Sequence, residues 1–418
     1  MELIARSGLF VGVLLLNIVT PPCCGLPTLI GQFNVAKPAF TALYPYSSGN
    51  GSDLLISNFA ANPFEGDAVF RVANVESYLP GNVFAITPDV MSHSVVWPNQ
   101  ISGVPESIFK KRLVAVPGGF LVPLKTEGAV TLLDPSLSAP ENAVVLTDST
   151  EKWFYHLVLW RDMDQDGDAD VLTCRAQKPI IGSSKGELLW LENPGSTQKQ
   201  TGPWKSHVIG EGPDIFFDEA KLVIPPSSSP LDAIFIAQFF KPALRVFWVN
   251  NTGNWSQTNQ IFHRDIDTSI GPVFDVKVCD VNLDGRNDLL VTTNDAKNGS
   301  VLVYEIPDDF RTGEYKRHLL ASGFSSRSGQ VGKGAPGAAQ LFHPSTQGNT
   351  TRPSIVLSGD DGGQAFVFTP RSQVKDDWNY TVTPFLDVGS GTVGGISIGG
   401  DYMFVPSYNQ NKMYVYRL

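Results

Sequence analysis

Cysteine is scarce, with only Cys23, Cys24, Cys174 and Cys279 in 418 residues. Two of these sit near the N-terminus beside a leader-like segment, so only Cys174 and Cys279 remain for at most one disulfide. A small fold held together by disulfides is thereby excluded. Long apolar runs are missing too. The most apolar one, Leu9 to Leu16, falls well short of the roughly 18 uncharged residues a membrane helix needs. No C-terminal apolar tail suggests a lipid anchor, so no membrane span is expected. Positive charge is in deficit: 31 Lys and Arg against 41 Asp and Glu give a net charge of -10. That balance disfavours nucleic acid and anionic membranes as partners and suits cations. Sustained helical periodicity is absent. So are the Gly-x-Ser-x-Gly elbow, the His-Glu-x-x-His zinc helix, the phosphate loop and the dinucleotide fingerprint.

What is present begins with a short basic start at Arg6, the apolar run, and Pro21-Pro-Cys-Cys-Gly25. Small residues at Cys23 and Gly25 suit a signal peptidase, which places a signal peptide over 1–25 and the mature chain over 26–418. Six Asn-x-Ser/Thr sequons follow, at Asn50, Asn250, Asn254, Asn298, Asn349 and Asn379, none with a central proline. Together these features predict a secreted, extracellular glycoprotein with its glycans on exposed turns.

The chain repeats itself seven times, at intervals of about 50 to 65 residues. One element is a short apolar strand behind Gly or Asp. Its copies start at Asp53, Phe120, Asp170, Asp232, Asp288, Ser354 and Tyr402. Each is followed by a second strand, such as Glu187-Leu-Leu-Trp-Leu-Glu or Ser300-Val-Leu-Val-Tyr-Glu, and most sit behind a turn residue as a hairpin requires. A third element led by an aromatic, at Trp204, Tyr315 and Trp378, reads as an outermost strand. Radial repetition of four-stranded antiparallel units is the logic of a propeller, because it leaves only short, protected sheet edges. The expected fold is therefore an all-β, seven-bladed β-propeller. Its last unit stops after Met413 to Tyr416 without an outermost strand, and Leu29 to Val35 could supply it to close the ring. Two β-sandwich domains are the alternative, but they do not explain one hairpin recurring seven times.

Two units carry a sharper signal. Asp162-Met-Asp-Gln-Asp-Gly-Asp-Ala-Asp170 and Asp280-Val-Asn-Leu-Asp-Gly-Arg-Asn-Asp288 place oxygen-bearing side chains at positions one, three, five and nine, with Gly at six. Such a loop can converge on a hard cation, with the backbone carbonyl of position seven as a further ligand. The candidate metal residues are Asp162, Asp164, Asp166, Asp168 and Asp170 in the first loop. In the second they are Asp280, Asn282, Asp284, Arg286 (by its carbonyl) and Asp288. An EF-hand is excluded, since position twelve is Thr173 or Val291 and β-branched strand follows. The five Asp of the first loop repel one another more than the second set, which contains Asn282 and Arg286. The first loop should therefore depend more on metal for its order.

These two loops, with Trp190-Leu-Glu-Asn-Pro-Gly195, resemble the FG-GAP or VCBS repeats, the calcium-bearing propeller repeats also found in integrin α-subunit heads. The resemblance implies a seven-bladed propeller holding Ca2+ at blade edges, most simply as a staple. It does not imply integrin adhesion, for the leg domains and membrane span are missing. Asp53, Asp232 and Asp401 survive in other units without the preceding carboxylates.

On the strands predicted to line the central channel, His156, Asp218, Glu219, Lys221, Asp275, Lys277 and His343 are the titratable candidates for acid/base work, though polar channel residues are more often merely solvated. His207 and His318 recur at equivalent places and read as structural. Trp160, Trp190, Trp248 and Tyr304 fit packing between blades better than sugar stacking. Three function classes remain. The favoured one is a monomeric extracellular binding module for glycan or protein. The second is a polysaccharide lyase or sugar dehydratase with His156 and Asp275 over the channel. The third is a structural matrix glycoprotein.

Overall fold

A computed structural model describes residues 26–62, 64–122, 125–137, 141–148, 152–179, 182–195, 202–250, 253–330, 332–343 and 350–418. The expected signal peptide and Asn349 lie outside the described residues.

Seven four-stranded antiparallel sheets form the ring. We number the blades in chain order: blade 1 spans 38–92, blade 2 102–145, blade 3 154–211, blade 4 217–267, blade 5 273–324 and blade 6 339–387. Blade 7 takes its three inner strands from 397–417 and its outermost strand from Thr28–Asn34, which pairs antiparallel with Lys412–Arg417. The ring is closed by the N-terminal strand, as the missing strand of the last unit required.

The core consists of seven apolar clusters, and each fills one seam between neighbouring blades. A middle strand therefore has no solvent face. In Asp288–Thr293 all six residues are buried: Leu289 and Val291 enter the seam with blade 4, and Leu290 the seam with blade 6. This is why the repeating strands read as continuous apolar runs without alternation. Each such side chain contributes roughly 1.5 to 3 kcal/mol on burial.

One predicted strand is corrected. The second strand of blade 2 is Leu113–Pro117, and Phe120 to Val122 lie in the turn after it. Their apolar character comes from packing between loops. Phe120 stacks on Trp97 at 5.0 Å and Trp97 on Phe59 at 4.2 Å, across the turns of blades 1 and 2. The predicted hairpins of the other six blades form strands as expected.

Antiparallel order gives the ring two distinct faces. Turns from first to second and from third to fourth strand share one face, and all other connections share the opposite face. Both carboxylate loops lie on the first face, as do Asn50, Asn250, Asn254 and Asn379. Asn298 turns between Asp288–Thr293 and Gly299–Glu305, on the opposite face.

Candidate functional site

The first carboxylate loop joins the innermost strand of blade 3, Phe154–Arg161, to its neighbour Asp170–Gln177. The tight path needs two left-handed residues, Gln165 at φ 67° and Gly167 at φ 97°, and glycine adopts that region without strain. Asp162 accepts from the N–H groups of Gln165 and Gly167, Asp164 from that of Asp166, and Asp166 from that of Asp168. One carboxylate oxygen each from Asp162, Asp164 and Asp166 gathers within 4.8 Å. Asp168 stands outside that group. Asp170 is buried at 1% exposure and accepts N–H bonds from Met163 and Asn193, tying the loop's base to the third strand. Burial pushes its carboxyl up to about 7. Asp164 is also raised, by burial and then by neighbouring carboxylates such as Asp166.

The second loop, between Val273–Cys279 and Asp288–Thr293, repeats the design. Leu283 and Gly285 are left-handed at φ 60° and 90°. Asp280 accepts from Asp284 and Gly285, Asn282 from Asp284, and Asp284 from Arg286. Asp288 holds Val281 at 3.1 Å and is likewise pushed by burial up to about 7. The Arg286 side chain turns outward to the Ile306 carbonyl and Asp308, which leaves its carbonyl as its only route to an ion. The first loop thus gathers three hard oxygen donors of the kind a hard cation takes, and the second repeats its backbone design with Asn282 in place of one carboxylate.

At two of the three isolated Asp positions, Asp53 and Asp232, arginine stands where the loop carboxylates would. Asp53, at 2% exposure, is met by Arg71 and Arg112, each at 3.2 Å. Asp232 is met by Arg161, which also pairs with Glu219. Both arginine contacts of Arg161 cross from blade 3 to blade 4, so a spacing argument could not have found them.

The seam beside the first loop has a second tie. Asn254 donates its side-chain amide to the Asp164 carbonyl and accepts from Ser256, while the N–H of Trp255 donates to the Met163 carbonyl at 2.8 Å. Trp255 is 1% exposed within the seam between blades 3 and 4. A segment that reads as a sequon thus clasps the neighbouring blade's loop. Asn50, Asn298 and Asn379 are exposed.

The channel candidates take different environments. Asp275 is buried beside Lys277 at 3.3 Å, and Asp218 accepts from the Val278 N–H across the same seam. Burial raises Asp275 while Lys277 opposes the rise. Burial pulls Lys277 down, but Asp275 and Asp218 outweigh it and hold it above its ordinary value. His156 instead lies edge-on to Phe40 and Phe216, at 5.2 and 4.7 Å. Burial alone drives its imidazole down to about 3, so it is uncharged at neutral pH and too weak a base for catalysis there. His343 follows the innermost strand of blade 6, Ala339–Phe342. Glu219 and Lys221 line a cleft on the loop face.

The residues read as structural are so placed. His207 stacks on Trp190 at 4.1 Å and bonds Glu192, and His318 stacks on Trp378 at 4.2 Å and bonds Glu305. Trp160 packs edge-on to Phe109 and Trp204, and Trp248 to Phe310. Cys174 and Cys279 are free thiols in blades 3 and 5, and they form no disulfide.

No protein-family profile matches the sequence, and no curated protein matches it. Solved structures do resemble it. A virginiamycin B lyase from Staphylococcus aureus aligns over 93% of this chain and 98% of its own, at 10% identity and a TM-score of 0.49. The Nup133 β-propeller domain of Vanderwaltozyma polyspora aligns over 94% and 97%, at 9% identity and 0.49. A glucose dehydrogenase aligns over 78% and 98%, at 9% identity and 0.44. The class this chain belongs to is the seven-bladed β-propeller.

Proposed function

We propose that this chain is a secreted, N-glycosylated, calcium-binding propeller of FG-GAP or VCBS type that serves as an extracellular binding module for glycan or protein. The observation that carries the calcium part is the gathering of Asp162, Asp164 and Asp166 oxygens within 4.8 Å, in a loop whose sequence pattern recurs at Asp280 to Asp288. A divalent ion there neutralises charges that would otherwise repel, and it stiffens the blade edge. The acidic balance supports a cation partner. The channel chemistry supports binding over acid/base catalysis, because His156 is buried among aromatic rings and burial holds its imidazole uncharged. The test is a pull-down and glycan-array screen of the glycosylated protein with calcium and with chelator. Calcium-dependent retention of an intact glycan or protein supports the reading. A polysaccharide degraded to unsaturated products would replace it with the lyase.

A further inference from the structure

Beside the first carboxylate loop, a cleft of about 450 Å³ opens on the loop face between blades 3 and 4. Its volume falls within the range of small-ligand sites, about 300 to 1,000 Å³. Six polar side chains line it, Arg161, Asp162, Gln165, Glu219, Lys221 and Asp232, and about half of the exposed wall is apolar. Arg161, with a side chain only 12% exposed, is clamped between Glu219 and Asp232. Its charge is already satisfied, so a ligand carboxylate would have to displace one of those partners. With Asp162 given to the loop's cation, Arg161 and Lys221 face Glu219 and Asp232 in balance, so the wall offers a uronate or sulfate no excess of positive charge. An apolar ligand would strip water from these groups without replacing its hydrogen bonds. What the wall can offer is a mixture of donors and acceptors, and hydroxyl groups match it because each both donates and accepts.

The cleft's outer wall has its own shape constraint. Gly253 is left-handed at φ 65°, and a Cβ there would meet Asp232 Oδ2 and Gln165 Nε2, each at 2.8 Å. A substitution there would strain the left-handed backbone and make the Asp232 and Gln165 side-chain ends shift. Asp162 belongs to both the cleft and the loop, so the loop's order sets the cleft's shape.

From this geometry we propose that the cleft between blades 3 and 4 binds an uncharged hexose or N-acetylhexosamine ring. The proposal rests on the binding-module reading and narrows its ligand to neutral sugars. The test is calorimetric titration of the full protein in calcium, with its own N-glycans trimmed, against neutral glucan, mannan and chitin oligosaccharides and against polygalacturonate and alginate fragments. Wild type should bind a neutral probe, and Lys221→Ala and Glu219→Gln should each weaken it at least tenfold. Lys221 is exposed, so Lys221→Ala should unfold at the wild-type temperature and separate lost binding from lost folding. Neutral binding unchanged in both variants would put the site elsewhere and leave the binding-module reading standing. Preference for the uronates would overturn the ligand class. Binding of no glycan at all would defeat the inference, while retention of a protein partner in the pull-down would still uphold the module.

Discussion

Calcium and protons should compete for the two loops, and the size of the competition follows from Asp170 and Asp288. Both carboxyls are pushed by burial from the ordinary 3.8 to about 7. For a buried acid the sign is clear: the metal-free fold favours the protonated form, and that advantage is lost as pH rises from about 4 through about 7. Calcium binds the ionised form, so its binding releases protons and weakens in acid. Between pH 7.5 and 5.5 a group titrating near 7 lowers affinity roughly 25-fold, or about 2 kcal/mol. Calcium at about 100 times its dissociation constant adds roughly 2.7 kcal/mol per site at pH 7.5, and about 1 kcal/mol at pH 5.5. A domain of about 390 residues has an unfolding entropy near 0.8 kcal/mol/K. Two sites should therefore raise the melting temperature by about 7 °C at pH 7.5 and about 2 °C at pH 5.5, relative to chelator. Differential scanning fluorimetry at the two pH values, at one fixed calcium concentration, reads this directly. Equal shifts at both pH values, or a larger one in acid, would refute the reasoning.

Asp53→Ala should destabilise by about 3 kcal/mol, because it strips Arg71 and Arg112 of their buried partner. Urea unfolding checks this, and the loss should be the same with and without chelator, since arginine serves there in place of metal. Asn254 should be the least occupied of the described sequons, because its amide is engaged with the Asp164 carbonyl; site-resolved glycopeptide mass spectrometry decides it. Asn254→Ala should cost about 1 to 2 kcal/mol by orphaning that carbonyl. His156→Phe should leave ligand binding unchanged from pH 5 to 8, as the imidazole titrates only near 3; a pH-dependent loss would restore it as a functional base.

The ring itself was legible because both faces of every middle strand are buried, which writes the blade into the sequence as a repeated apolar run. Closure was legible from the strand missing after Tyr416. Blade 2 was not, for two reasons. Its second strand, Leu113–Pro117, follows Lys110-Lys111-Arg112 and lacks the Asp that marks five of the other six. The apolar Phe120-Leu-Val that displaced it is apolar because Phe120 stacks with Trp97 and Phe59 between loops. The loops could be read from local spacing, since their donors lie within nine residues. The partners that complete them could not: Asn254 and the Arg161 ion pairs reach across a blade seam, and such contacts depend on the stagger of two sheets. The channel likewise depended on side chains brought in by other blades, with His156 packed against Phe40 and Phe216.

The most direct measurement is native mass spectrometry of the mature protein at pH 7.5 after dialysis against calcium. Two calcium ions per chain are expected, falling to one in Asp162→Ala and in Asp280→Ala, with the second ion untouched in each. A wild-type mass equal to that of the chelated protein, or a count unchanged in both variants, would contradict the assignment of the two loops.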